Sequence, residues 1–171
     1  IVSNHGSSNE VQSEDFVNAI VDTFWKEYGE NRLEGRLPKI AFYTTDITML
    51  EKLEENLDRA LQRHKIPLSK KLVWHSSYTG DKKKDADYEF NRVDTPESER
   101  QFILLVNKGT EGWNCKSLVS VALYKNSTSN NFVLQASCRC LRRIGDNSVK
   151  ARVFLSDENY RVLNRELENN F

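Results

Sequence analysis

The chain has 171 residues, of which 38% are hydrophobic and 29% are charged, and its formal net charge is zero. This length allows one domain with a substantial core, and the composition is not that of a disordered protein. No apolar run approaches the ~20 residues that a membrane helix needs, and no signal peptide is visible, so we expect a cytoplasmic protein without a membrane anchor. Because the first residue is Ile rather than Met, we expect a fragment of a longer protein.

The charges are unevenly distributed along the chain. Residues 1–60 contain six Lys and Arg against twelve Asp and Glu, whereas residues 100–155 contain nine basic against two acidic residues. The basic second half favours a surface that contacts a polyanion, although a solvated basic face would give the same pattern.

Three cysteines, Cys115, Cys138 and Cys140, are too few for a disulfide scaffold. Their spacing also differs from the Cys-x(2–4)-Cys pairs of structural zinc sites. We therefore predict no metal site and interpret the three as small packing residues.

The first part of the chain predicts two helices and a strand behind a polar leader at residues 1–12. Apolar residues at helical spacing predict a helix that begins after Ser13, a favourable N-cap. The apolar run 39–44 predicts a short buried strand. Asp46 can cap the second helix, whose leucine-rich stripe continues to about His64.

The rest of the chain predicts further strands and two more helices. The polar, charged segment 80–99 is interpreted as a surface loop. A helix is predicted from about Asn130 to Arg143, and Ser156 caps a final helix. The strands are predicted at residues 71–77, 101–106, 118–124 and 151–155.

Continuous apolar strands separated by helices are typical of a parallel sheet that is covered on both faces. The sequence therefore predicts an α/β fold over residues 13–171, a three-layer sandwich with a mostly parallel central sheet of about five or six strands. Ligands bind such sheets at the carboxyl ends of the strands. The loops of interest are those that follow Thr44, His75, Val106 and Tyr124.

The segment VNKGTEGWNC (106–115) follows the third predicted strand. Gly109 and Gly112 allow the backbone to approach a ligand closely or to adopt a positive φ. Lys108 adds a charge, and neutral hydrogen-bonding groups come from Asn107, Thr110 and Asn114. These groups suit contact with phosphate and sugar oxygens, although a tight connection between strands would need the same glycines.

The segment QASCRCLRR (135–143) lies within a predicted helix. Gln135, Cys138, Arg139 and Arg142 stand at i, i+3, i+4 and i+7 and therefore share one helix face. Two arginines one turn apart form a fork that suits phosphate oxygens. A solvated basic face is the alternative interpretation.

These segments resemble the motifs of the superfamily-two helicases. Motif VI of that family reads Gln-x-x-Gly-Arg-x-x-Arg and falls on residues 135–142, while GTEGWN (109–114) resembles the Gly-x-Asp ending of motif V. KIAFYTT (39–45) resembles the motif IV strand, and the tail 153–171 resembles the closing helix of the same lobe. Within the DEAD/DEAH-box group, the chain most resembles the helicase subunit of type III restriction enzymes. The resemblance implies a RecA-like domain.

The resemblance also implies roles for individual residues. Two RecA-like lobes of this family hold ATP and Mg²⁺ between them, and the second lobe supplies arginines that stabilise the charge on the transferring phosphoryl group. Arg142 corresponds to the arginine finger, Arg139 to a second phosphate or interlobe contact, and Gln135 to a residue that orients the site. Gly112 and Asn114 would lie near the ribose. Contacts with the nucleic-acid backbone would come from Thr44, His75, Asn107, Lys108 and Thr110.

Two residues depart from the family pattern. Cys138 replaces the glycine of motif VI, so the helix could stand further from ATP or from the partner lobe. Asn114 replaces the aspartate of motif V and can bind a hydroxyl without bringing a charge.

The chain lacks the Gly-x-x-x-x-Gly-Lys-Ser/Thr pattern of a P-loop. By itself it is therefore expected neither to hydrolyse ATP nor to cut DNA, because ATP and Mg²⁺ would be held mainly by an N-terminal lobe. The partners implied are that lobe, DNA and a methyltransferase subunit. The alternatives are the same lobe of an RNA helicase or of another DNA-repair or defence motor, and a stand-alone α/β binding domain.

Overall fold

The computed structural model describes residues 2–4, 14–106, 113–124 and 150–170. Within these ranges, the chain forms six strands and four long helices. The strands are β1 (Val2–Asn4), β2 (Lys39–Thr44), β3 (Lys71–Trp74), β4 (Phe102–Val106), β5 (Leu118–Leu123) and β6 (Arg152–Leu155). The helices are α1 (Glu14–Glu27), α2 (Ile47–Arg63), α3 (Gly80–Asn91) and α4 (Asp157–Asn170), and a 3-10 turn covers Leu68–Lys70.

The described strands form one sheet in the order β1-β6-β5-β2-β4-β3, and every pairing is parallel. β2 lies between β5 and β4, with Ile40 opposite Phe102 and Thr44 opposite Val106. Side chains alternate between the two faces, because successive residues of a strand point in opposite directions. The predicted parallel sheet and its α/β class are confirmed.

Each face of the sheet carries its own core. On the first face, α1 and α2 pack against Ile40, Phe42 and Leu104. On the second face, Tyr43 and Leu105 belong to a cluster that includes residues of α3 and α4. The molecule thus has the three layers that the sequence predicts.

The helices of the first face follow their sequence signals closely. In α1 the apolar residues predicted at helical spacing are all buried. Asp46 caps α2 as predicted, because its Oδ1 accepts the amide of Met49 at 2.9 Å. An ion pair between Arg63 and Glu14 joins the end of α2 to the start of α1.

The final helix also begins where the sequence predicts. The amide of Asn159 donates to Ser156 Oγ at 3.1 Å, and Leu163 is buried against the second face. None of the helices that the structure describes is long and apolar enough to span a membrane.

The prediction of a surface loop at residues 80–99 is wrong, because α3 occupies its first half. Gly80 begins the helix with a φ of +62°, a conformation that glycine adopts without strain. No residue of α3 is fully buried, so the helix lacks the apolar stripe by which a sequence reveals a helix. Its attachment depends instead on contacts with β3 and with the segment before β5.

The polar leader also contributes to the sheet. Val2–Asn4 form β1 at one edge, where Ser3 pairs with Phe154 of β6. Three residues of mixed polarity carry no strand pattern of their own. The edge strand β1 is therefore identified only by its pairing with β6.

Candidate nucleic-acid and nucleotide surfaces

Three neighbouring strands end at the same edge of the sheet and place two predicted site residues there. Thr44 is the last residue of β2 and lies opposite Val106 of β4, while Trp74 ends β3 opposite Leu105. His75 follows β3 directly. Since neighbouring strands are about 4.8 Å apart, the ends of β2 and β3 are separated by about 10 Å across β4. We call this rim the carboxyl edge.

Thr44 does not face solvent in this structure. Its side chain is fully buried, and its hydroxyl donates to the carbonyl of Leu105 at 3.0 Å. The next residue, Thr45, is exposed. A contact between Thr44 and nucleic acid stays a prediction, and the solvent-facing hydroxyl at the end of β2 belongs to Thr45.

His75 lies half-buried in a small group of polar and aromatic side chains at the carboxyl edge. Its ring contacts that of Tyr78, with centroids 3.7 Å apart, and its Nδ1 accepts the amide of Ser77 at 3.3 Å. Burial and then the nearby Lys82 charge lower the pKa of His75, against a smaller opposing influence of Glu51. A neutral imidazole can both donate and accept a hydrogen bond at neutral pH.

Three consecutive lysines, Lys82, Lys83 and Lys84, extend the carboxyl edge into α3, and all three are exposed. Lys82 Nζ lies 4.8 Å from the centre of the Tyr78 ring. Lysines on a rigid helix beside an aromatic ring suit a phosphate-bearing polymer. The sequence does not single out these lysines as site residues, because a charged segment of this kind is typical of a surface loop, although the Lys triplet itself is visible.

Asn114, the predicted ribose-binding residue, is exposed and lies away from the carboxyl edge. On one side, the Trp113 ring packs on α3. On the other, Cys115 is buried in the second core, with its Sγ 3.7 Å from Ser117 Oγ just before β5. The structure therefore does not bring Asn114 into the group formed by His75 and Thr45.

A stack of three aromatic rings connects β3, α3 and the segment before β5. The Trp74 and Phe90 rings lie 4.6 Å apart and 13° from parallel, and the Phe90 and Trp113 rings lie 5.2 Å apart and 28° from parallel. Trp74 Nε1 also donates to Asp87 Oδ1 at 2.8 Å, while Lys83 Nζ lies 3.1 Å from Asp87 Oδ2. These contacts attach α3 to the sheet.

The opposite, amino edge of the sheet holds a buried polar cluster. Asp94 accepts hydrogen bonds from the amides of Lys116 and Ser117, at 2.9 and 3.0 Å, and from Ser117 Oγ at 2.7 Å. Burial alone would raise the pKa of Asp94, but these bonds outweigh it and hold that pKa below its ordinary value. Lys39 is fully buried beside this group, and burial lowers its pKa to about 8.

Cys115 belongs to the same cluster. Burial raises the pKa of its thiol to about 12, so it is protonated at neutral pH and serves as a packing residue, as predicted. Cys138 and Cys140 lie outside the described residues. Within the described ranges, no group of three or more His, Cys, Asp or Glu side chains is arranged to hold a metal ion.

A cavity of about 390 Å³ lies between the end of α3 and the turn before β4. Its lining is polar and includes Tyr88, Arg92 and Arg100. Arg100 is already engaged, since it donates to the carbonyls of Ser69 and Lys71, each at 2.7 Å. None of the candidate site residues lines this cavity, so it forms no part of the candidate surfaces.

Most of the predicted site residues lie outside the described part of the chain. They are Gln135, Arg139 and Arg142 in the motif VI segment, with Cys138, which departs from its pattern, and Asn107, Lys108, Thr110 and Gly112 in the motif V segment. Residues 125–149 connect β5 to β6, which are adjacent and parallel in the sheet. The motif VI pattern therefore lies in the sequence between β5 and β6, outside the described residues.

No protein-family model matches this sequence, and no curated protein matches it. Solved structures do resemble it. Domain 2 of the DEAD-box helicase Mss116p, solved with an RNA duplex, aligns with a TM-score of 0.65 and 13% identity over 99% of this chain and 59% of that one. MrfA, a DUF1998 helicase solved with DNA and AMPPNP, gives a TM-score of 0.60 and 12% identity over 91% of this chain and 20% of that one.

The E. coli DEAD-box protein SrmB, solved with regulator of ribonuclease activity A, gives a TM-score of 0.57 and 11% identity over 90% of this chain and 80% of that one. The chain thus spans less than two thirds of the Mss116p and MrfA chains. At such low identities the likeness concerns the fold alone. The described part of the chain has the α/β RecA-like fold found in second helicase domains.

Proposed function

We propose that this chain is the second motor lobe of an ATP-dependent helicase or translocase. The observation that carries the proposal is the coincidence of fold and motif. A RecA-like sheet is present, and the Gln-x-x-x-Arg-x-x-Arg spacing of residues 135–142 falls in the sequence between β5 and β6. Either feature alone would be weak, because the fold hosts many functions and the motif is short.

ATP would be held between this lobe and a first lobe that supplies the P-loop and the Mg²⁺ ligands. Arg142 would act as the arginine finger and Arg139 as a second contact with phosphate, while Gln135 would orient them. A finger of this kind stabilises the charge that spreads over the transferring phosphoryl oxygens. A ribose contact for Asn114 stays a prediction: an amide can bind a hydroxyl, but Asn114 precedes β5 and lies away from the carboxyl edge.

The carboxyl edge would bind the nucleic acid. His75, Thr45 and the Lys82–Lys84 triplet present a neutral imidazole, a hydroxyl and three cations to solvent along one rim. Such groups contact the sugar-phosphate backbone rather than base edges, so they set affinity without reading sequence. Binding through them is expected to weaken with increasing salt, because each phosphate contact releases counterions.

More specifically, we propose a DNA translocase of the type III restriction class, acting with a methyltransferase subunit in the cytoplasm. Support comes from the resemblance of the motif V and motif VI segments to that helicase subunit. The same backbone-facing motifs would serve an RNA helicase equally well. The two alternatives are separated by measuring ATP turnover of the protein that carries both lobes, once with duplex DNA and once with RNA. Stimulation by RNA alone would contradict the restriction assignment and remain consistent with a motor function.

The motor itself is tested by replacing the proposed finger in the protein that carries both lobes. Arg142→Ala is expected to lower kcat for ATP hydrolysis about 10³-fold, with little change in ATP binding, because the finger acts on the transition state. Arg143→Ala is the matched control, since it removes a neighbouring arginine outside the motif spacing. Equal turnover in the Arg142→Ala variant and the control would refute the proposal.

A further inference from the structure

Two residues proposed to bind different ligands each lie next to a ring of the same aromatic stack. His75, at the carboxyl edge, follows Trp74 in the chain, and Asn114, proposed to face the nucleotide, follows Trp113. Phe90 of α3 lies between the two indoles, with centroids 4.6 and 5.2 Å from them. The nucleic-acid and nucleotide surfaces are thus connected by three rings in direct contact.

Within the described part of the chain, α3 is attached to the sheet mainly through β3 and the aromatic stack. It has no fully buried residue, and outside the stack its attachment to the body of the domain includes the Arg100–Glu89 pair, at 3.3 Å. Trp74 is held from α3 by Asp87, whose carboxylate accepts the indole N–H at 2.8 Å. Asp87 also meets Lys83 of the exposed lysine triplet, so a charge placed on that triplet acts directly on the residue that holds Trp74.

We propose that Asp87 and Phe90 are positioning residues that fix Asn114 relative to His75 through the Trp74–Phe90–Trp113 stack. Nucleic acid bound at the lysine triplet would thereby order the segment that contacts the nucleotide. This functional role rests on the proposed motor function. The mechanical connection does not, and it can be measured without any ligand.

The ligand-free measurement is amide hydrogen exchange on the full 171-residue chain. Asp87→Ala removes the carboxylate that accepts the Trp74 indole N–H. If the stack transmits the change, exchange accelerates about threefold or more at residues 113–116 as well as at 74–77, because both segments then open locally more often. Asp85→Ala is the matched control, an identical change at an exposed position of the same helix.

Two results would overturn the inference. One is acceleration confined to residues 74–77 in the Asp87→Ala variant. The other is the same acceleration at 113–116 in the Asp85→Ala control, which would mean that the helix is merely weakened. A second pair of variants separates the ring from simple packing: Trp113→Leu is expected to accelerate exchange at 74–77, whereas Trp113→Phe, which keeps a ring for Phe90, restores the wild-type rate.

The functional role is tested with a fluorescein-labelled single-stranded DNA 20-mer. In the wild-type chain, saturating oligonucleotide is expected to slow exchange at both 74–77 and 113–116. In the Trp113→Leu variant it should slow exchange only at 74–77, with the dissociation constant unchanged within about twofold. Protection of both segments in that variant would contradict the positioning role. Failure of the wild-type chain to bind the oligonucleotide would count against the proposed function, and the ligand-free measurement would still decide the mechanical connection.

Discussion

Lys39 provides the sharpest test of the energetics, because a lysine with no exposed surface begins the central strand β2. Its Nζ donates to the carbonyl of Leu37 at 2.6 Å. Burial is the main cause that lowers its pKa from 10.5 to about 8, and the negative charge of the nearby Asp94 opposes that change. The perturbation is Lys39→Met, which keeps the length of the side chain and removes the charge.

The magnitude follows from the two pKa values. Lowering the pKa from 10.5 to about 8 means that the folded chain holds this proton at a cost of about 3 kcal/mol relative to the unfolded chain. The Lys39→Met variant avoids this cost but also loses the hydrogen bond to the Leu37 carbonyl, which offsets about 1–2 kcal/mol of the gain in stability. Lys39→Met is therefore expected to raise the free energy of unfolding at pH 7 by about 1–2 kcal/mol.

The sign of the pH dependence can be stated in advance. Below pH 8 both states carry the Lys39 proton and the full cost is present; between pH 8 and 10.5 the folded state loses the proton first, so stability rises with pH. Burial raises the pKa of Cys115 from 9.0 to about 12, which makes stability fall as the pH rises above 9. Between pH 8 and 9 the Lys39 contribution should rise by about 1 kcal/mol while the Cys115 contribution falls by about 0.4 kcal/mol, so the free energy of unfolding should rise by about 0.6 kcal/mol.

The assay is urea unfolding followed by tryptophan fluorescence at pH 7, 8 and 9. The wild-type chain should gain stability between pH 8 and 9, and the Lys39→Met variant should not. Lys70→Met is the matched control, because Lys70 is also buried but lies 3.8 Å from both Glu30 and Glu99, so its loss should not stabilise the fold. A flat wild-type profile, or a Lys39→Met variant less stable than wild type at pH 7, would refute the reasoning.

Two further substitutions test local contacts. Asp94→Ala removes the acceptor for Lys116 and Ser117 and should lower the free energy of unfolding by about 2 kcal/mol. Because the pKa of Asp94 is held below its ordinary 3.8, its contribution to stability is present above that pH and is lost on acidification. In urea unfolding at decreasing pH, the variant should therefore lose less stability than the wild-type chain. Asp46→Ala leaves the amide of Met49 without its cap and should cost about 1 kcal/mol, or about 2–4 °C in a thermal melt followed by circular dichroism. Asp46→Asn should melt close to wild type, and an unchanged Tm for Asp46→Ala would show that the cap contributes nothing.

The sequence predicted those elements whose own residues carry the signal. α2 shows a leucine-rich stripe behind Asp46, and the core of β4 is a continuous apolar run. Both patterns identify buried apolar side chains, and the burial of apolar surface is the largest favourable contribution to the folding free energy. Strand order could not be obtained in this way, because Ile40 contacts both Phe102 and Ser120 only as a result of tertiary pairing.

Elements held by tertiary contacts escaped prediction. α3 is attached by the Trp74–Asp87 hydrogen bond and by the stacking of Phe90, and neither contact leaves a periodic pattern in the sequence. β1 exists only through its pairing with β6. The same limit applies to the site: the position of Thr44 at a strand end was predicted, but whether its hydroxyl meets solvent or the Leu105 carbonyl depends on the register between β2 and β4.

β2 shows how this fold separates stability from function. At its amino end, Lys39 lies beside Asp94, whose hydrogen bonds join the segment before β5 to the turn before β4. At its carboxyl end, Thr45 and the neighbouring His75 present polar groups to solvent. Substitutions at the amino edge should therefore change the free energy of unfolding and leave oligonucleotide affinity unaltered. Both ends of β2 contribute to the same core, but only the carboxyl end is proposed to contact nucleic acid.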